Sequence, residues 1–183
     1  MYSQVINYIK QRVEISRDEI EESLKYSDFK KFEKGDYILR AGEHCRFIGF
    51  LNKGFIVTTF VDETGNEIAS EFKHEGCFFT YTEGLANNNP SHKNFIAIED
   101  CETLMLKKEY LPVIFKANPK FETLFSQILA EELRNVLLIQ QNNPQFFCQY
   151  LAEQSFKFRV FLKNYRQIFF IHHQCFTIFN SNK

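Results

Sequence analysis

The residues that could do chemistry in this chain are few and scattered. His172-His173, followed after one residue by Cys175, is the densest group of possible metal ligands. A shared ion needs ligands at i, i+3 or i, i+4 and a second pair elsewhere. Adjacent histidines fail the first condition and no second pair lies near, so no metal site is expected. Cysteines stand at 45, 77, 101, 148 and 175. The count is odd, the gaps are wide and no Cys-x-x-Cys occurs. That excludes a zinc knuckle and a thioredoxin-type pair, and it fits free thiols in a reducing cytoplasm. Cys45 and Cys77 read either as a pair that approaches across strands or, more commonly, as buried apolar thiols. Glu131 and Glu132 read as carboxylates that are solvated or paired with Arg134 and nearby lysines. There is no Ser-His-Asp set, no catalytic carboxylate pair and no glycine-rich phosphate loop. The chain is therefore not expected to be an enzyme, and no cofactor is expected.

The elements that must position any site follow from composition. The chain has 183 residues, 44% hydrophobic and 25% charged, which is ordinary for one globular domain with a small appendage. Its 22 basic and 23 acidic residues give a net charge of −1, which excludes holding nucleic acid by bulk positive charge. No apolar run approaches the ~20 residues of a membrane span. Charge runs through the N-terminal segment without an apolar stretch, so no secretory signal and no membrane partner are expected. All seven glycines lie at or before Gly84. Glycine serves tight turns, so the first half should be rich in strands and the second mostly helical. Residues 144–183 hold five basic residues, one acid and nine of the 22 phenylalanines. A boundary at Asn142-Asn143-Pro144 fits that shift.

Val5, Ile6 and Ile9 predict a helix over 2–13. Ser16-Arg17-Asp18-Glu19 is a capping box that opens a second helix, with Ile20 and Leu24 as its buried stripe. From Phe29 to Leu106 the pattern is strand after strand, including Tyr37–Leu39, Phe47–Leu51, Phe55–Val61, Glu67–Phe72, Phe95–Ile98 and Thr103–Leu106. Asp62-Glu63-Thr64-Gly65-Asn66 makes a hairpin turn. Lys108–Phe115 is a short helix stopped at Asn118-Pro119, and Lys120–Gln141 is one long helix. Phe125, Leu129, Leu133 and Val136 form one apolar stripe on it, with Leu124 and Ile128 in a second beside it. One side can pack on the strands. The other is expected to meet a twin helix, with Phe125, Ile128, Leu129, Leu133 and Val136 at a homodimer interface.

Several strings within this order resemble the cyclic-nucleotide-binding domain of the Crp/Fnr family of bacterial transcriptional regulators. They are KGDYILRAGE at 34–43, FLNKGFIVTTFVDETGNEI at 50–68, HEGCFF at 74–79 and AIEDCETLMLKKEYL at 97–111. The resemblance implies an α+β fold. Its centre would be a double-stranded β-helix, or RmlC-like jelly roll, with N-terminal helices and a long C-terminal dimerisation helix followed by a short helical tail. It divides the chain into N-terminal helices (1–27), a cyclic-nucleotide-binding-like β-roll (28–107), the short and long helices (108–142) and an output-domain remnant (143–183).

In family members that bind cyclic nucleotides, Gly-Glu-Leu and a later Arg-Ser/Thr-Ala cradle the sugar and phosphate. The glutamate takes the ribose hydroxyl and the arginine pairs with the phosphate. Laid on this chain without gaps, the first triplet falls on Thr80-Tyr81-Thr82 and the second on Ser91-His92-Lys93. Neither charged anchor is present. Lys93 brings a positive charge nearby, and His92 does so at low pH, but neither has the planar fork of an arginine. Val136 and Leu137 stand where cAMP-binding members offer hydroxyls to the base. The resemblance thus implies a pocket of Thr80, Tyr81, Thr82, Ser91, His92, Lys93, Val136 and Leu137 that binds cAMP and cGMP weakly or not at all. The segment Gly84–Lys93 reads as a polar, turn-rich loop over it.

Residues 151–170, LAEQSFKFRVFLKNYRQIFF, resemble the helix that opens the family's helix-turn-helix output domain. Lys157, Arg159, Lys163 and Arg166 could contact phosphates there. The following IHHQCFTIFNSNK offers no groove-reading helix, so DNA binding is expected to be weak. The functional expectation is a cytoplasmic, homodimeric Crp/Fnr-like regulator with a β-roll that senses an unknown small molecule. The alternative is a stand-alone β-roll that binds a protein partner and no DNA.

Overall fold

The structure, a computed structural model, describes residues 2–61, 65 and 67–140, with side chains as far as Glu131. Two short helices open the chain, α1 (Ser3–Lys10) and α2 (Arg17–Leu24). Eight strands follow: β1 (Ser27–Phe32), β2 (Tyr37–Leu39), β3 (Phe47–Lys53), β4 (Phe55–Val61), β5 (Glu67–His74), β6 (Phe78–Phe79), β7 (Lys93–Ala97) and β8 (Cys101–Lys107). A helix, α3 (Thr82–Asn87), interrupts them between β6 and β7. A 3-10 turn (Lys108–Tyr110) leads into α4 (Leu111–Ala117) and α5 (Lys120–Gln140).

The strands form two four-stranded antiparallel sheets, in the orders β1-β8-β3-β6 and β2-β7-β4-β5. Side chains alternate between the faces of a strand, and the first sheet uses both. On β3 and β8, Phe50 and Leu104 point to the helices, while Leu51, Cys101 and Met105 point to the second sheet. Two cores result. Val5, Ile9, Ile20, Leu24, Ile114, Phe121, Leu124 and Ile128 pack the helices onto Phe50 and Leu104. Leu39, Leu51, Ile56, Phe79, Phe95 and Ala97 fill the space between the sheets. Fully burying each large apolar side chain contributes roughly 1.5–3 kcal/mol.

Gly49 faces Phe79 across the β3–β6 pair. A Cβ at position 49 would lie 2.2 Å from Phe79 Cζ, so only glycine lets the tip of that ring come this close to the strand. The expected capping box is present: the Ser16 hydroxyl accepts from the Glu19 amide at 3.3 Å, and the Ser16 amide donates to the Glu19 carboxylate at 2.8 Å.

Two expectations need correction. The span 84–87, read as part of a loop, completes α3, because Asn88 closes it in the left-handed conformation at φ 56°. Ile128, assigned to a homodimer interface, is buried at 5% exposure in the chain's own helical core. Glu131, 41% exposed, has partners in α1 and just after it. Its carboxylate accepts from the Tyr8 hydroxyl at 3.2 Å and lies 3.4 Å from the Arg12 guanidinium. Arg12 in turn stacks 3.5 Å over the Tyr8 ring. Burial pushes the Tyr8 phenol well above its ordinary pKa; Arg12 opposes the shift and Glu131 reinforces it.

Candidate functional site

The six pocket residues expected from 80 to 93 lie around α3: Thr80 and Tyr81 between β6 and α3, Thr82 at the start of α3, Ser91 and His92 between α3 and β7, and Lys93 at the start of β7. Thr80 is buried, and its hydroxyl donates to the Phe47 carbonyl at 2.7 Å, with the Cys45 thiol 3.5 Å away. Tyr81 precedes α3 and joins the core between the sheets at 5% exposure. Its hydroxyl donates to Glu83 Oε2 at 2.8 Å and lies 2.7 Å from His92 Nδ1. A phenol has one proton, so with that proton on Glu83 the histidine Nδ1–H is the donor to the phenolic oxygen. The Tyr81 and His92 rings meet edge to face at 5.3 Å. Burial, then the hydrogen bond and charge of Glu83, push the Tyr81 phenol up to about 12.

Gly84 makes room for this arrangement. A Cβ there would lie 2.5 Å from Tyr81 Cδ1 and 2.9 Å from the Asn89 carbonyl oxygen. Thr82 is the first residue of α3. Ser91 is buried and turned inward on its own backbone. Its hydroxyl donates to the Lys93 carbonyl at 2.7 Å and accepts from the Lys93 amide at 3.0 Å. The Ser91 amide and carbonyl bond to Glu43 and Gly42, each at 2.7 Å, which fixes this point to the turn after β2.

Lys93 aims at the second sheet. Its ammonium donates to Glu71 Oε1 at 2.7 Å, and Lys73 stands 3.4 Å from Glu71 Oε2. The three side chains are 19%, 15% and 8% exposed in the order Lys93, Glu71, Lys73. Burial alone would raise the Glu71 pKa. The two ammoniums outweigh it and hold the carboxyl below its ordinary range. Thr58 pairs with Glu71 on one side and Phe95 on the other, so these side chains share the inner face. Its hydroxyl oxygen is buried and has no hydrogen-bond partner.

The sequence reading did not single out Glu71, Lys73 and Thr58. The signal was there: Glu71 and Lys73 are two apart on one strand, so a single face carries both. Tyr81 and His92 are brought together, as are Ser91 and Lys93. Phe125 and Leu129 are half-buried, with Phe125 against Phe115 at 5.8 Å. The side chains of Leu133, Val136 and Leu137 lie outside the described residues, as do Lys157, Arg159, Lys163, Arg166, His172, His173 and Cys175 entirely. No helix among the described residues is long and apolar enough to cross a membrane.

Two antiparallel sheets, a short helix between the sixth and seventh strands and flanking helices form a β-roll. Residues 29–118 match the cyclic nucleotide-binding domain family. Solved structures share the fold of this domain. The catabolite activator protein of Thermus thermophilus superposes with a TM-score of 0.62 at 20% identity, over 70% of this chain and 60% of that one. The regulatory subunit of a cAMP-independent protein kinase A from Trypanosoma brucei gives 0.57 at 20% identity, over 69% and 46%. The sensor domain of the transcriptional regulator DNR from Pseudomonas aeruginosa gives 0.56 at 18% identity, over 75% and 95%. The chain thus spans less than two thirds of the first two, and at these identities the likeness is one of fold. No curated protein matches the chain in sequence.

Proposed function

We propose that this chain is a regulatory protein whose cyclic nucleotide-binding-type β-roll senses a small molecule other than cAMP or cGMP. The half-buried stripe at Phe125 and Leu129 would pair with a second copy through α5 and carry the signal across. By likeness to the Crp/Fnr regulators the output is transcriptional control. Any contact of Lys157, Arg159, Lys163 and Arg166 with DNA is weak, salt-sensitive and indifferent to sequence. The same fold in a kinase regulatory subunit means that a β-roll does not by itself imply DNA reading.

The observation that carries this reading is the internal satisfaction of both anchor positions. Tyr81 replaces the ribose-binding carboxylate and spends its hydroxyl on Glu83 and His92. Ser91 replaces the arginine and spends its hydroxyl on its own backbone. Hydrogen bonds to charged groups contribute about 1.5–3 kcal/mol each. Losing two costs roughly 3–6 kcal/mol, on the order of 10²–10⁴ in affinity.

The test is restoration. The double variant Tyr81→Glu, Ser91→Arg should bind cAMP measurably more tightly than the parent chain. Equal low-micromolar affinity in both proteins would overturn the reading.

A further inference from the structure

From the Lys93–Glu71 pair and the unpartnered Thr58 hydroxyl, we infer that the β-roll takes a small oxyanion, a carboxylate or phosphate, which replaces Glu71 on Lys93. This rests on the reading of the roll as a sensing site and names the chemistry of its ligand.

Three charged side chains and a lone hydroxyl share the inner face of the second sheet, beside a core of Leu, Ile, Phe, Ala, Met, Cys and Tyr81. An apolar set of the same volume would pack there at no loss of stability, so the charges are not explained by packing. Their arrangement is that of an occupied anion site. The Glu71 carboxylate lies 2.7 Å from the Lys93 ammonium, with Thr58 opposite Glu71 in the strand pairing. The Thr58 oxygen makes no hydrogen bond, although buried hydroxyls are ordinarily satisfied. A ligand oxyanion would offer Lys93 the acceptor that Glu71 now supplies, and would give the Thr58 hydroxyl an acceptor that it lacks. A neutral ligand leaves Lys93 with Glu71, and a cation meets Lys73 and Lys93. Lys93 opens β7 two residues after Ser91, so a change of partner at its ammonium bears on the segment that carries Tyr81 and His92.

The experiment titrates the full chain with sodium succinate and, separately, sodium phosphate at constant ionic strength. Sodium chloride is the control, and calorimetry and thermal unfolding are the readouts. At least one oxyanion should bind and raise the melting temperature where chloride does not; the arm that responds separates carboxylate from phosphate. Glu71→Gln, which removes the internal competitor, should tighten that binding by about tenfold. Lys93→Met should abolish it. Thr58→Val keeps the shape and loses only the hydroxyl; it should weaken binding several-fold even if the Lys93 variant does not fold. Absence of oxyanion binding in both the parent chain and Glu71→Gln would overturn the inference, as would binding indifferent to both Thr58→Val and Lys93→Met. Binding of a neutral small molecule with the oxyanions silent would remove this inference and leave the sensing role standing. Tight cAMP binding would remove the sensing role as stated.

Discussion

The Tyr81 hydroxyl lies 2.7 Å from His92 Nδ1, so residues eleven apart in the chain close on each other across α3. This contact joins the two segments that would have to separate around a sugar-phosphate. Tyr81→Phe removes the hydroxyl bonds to Glu83 and His92 while keeping the ring in the core. The expected cost is about 0.5–1.5 kcal/mol of stability. Urea unfolding measures it; an unchanged midpoint would show that the contact holds nothing.

Gly84 offers a sharper steric test. Gly84→Ala puts a methyl group 2.5 Å from Tyr81 Cδ1 and 2.9 Å from a backbone oxygen, which cannot swing away. Overpacking of this kind costs typically 1–3 kcal/mol. The variant should unfold earlier in urea, and Tyr81→Ala in the same chain should recover part of the loss.

The pH dependence follows from Glu71. Its folded pKa lies below the ordinary value of 4.5 because Lys73 and Lys93 outweigh the burial penalty. A depressed carboxylate contributes stability that is present above its unfolded pKa and is lost as pH falls through the folded one. The chain should therefore lose stability on acidification below about pH 4.5. Glu71→Gln should be less stable near neutrality and show a flatter profile over that range. Parallel profiles for the two proteins would refute this assignment.

Two neighbours on α5 should behave differently. Ile128 is buried in the chain's own core, whereas Leu129 is only half-buried. Ile128→Glu should unfold the protein. Leu129→Glu should leave it folded but convert dimers to monomers in sedimentation at a concentration of about 10⁻⁵ M. A parent chain that is already monomeric there would remove the role proposed for α5.

Much of the fold was legible because its signals are local. The Ser16–Glu19 box starts α2 as the spacing demands, and the turn-forming string 62–66 between two strand-like segments marks the β4–β5 hairpin. The site was harder to read. Helix α3 has only six residues, with a glycine and three asparagines near it that look like a loop. What makes it a helix is tertiary: Tyr81 is drawn into the core and Ser91 is bonded to the turn at Gly42 and Glu43. The Lys93–Glu71 contact joins strands 22 residues apart, a pairing that no local pattern specifies. The partners of Glu131, Tyr8 and Arg12, were not legible because they lie more than a hundred residues away in sequence.

The central claim is that this β-roll has closed its nucleotide anchors from within. Calorimetric titration of the full, unmodified chain with cAMP, repeated with cGMP, tests it most directly. The account predicts no binding heat from either nucleotide at concentrations that saturate a site of about 10⁻⁵ M dissociation constant. Low-micromolar binding of either, with one nucleotide per chain, would contradict it.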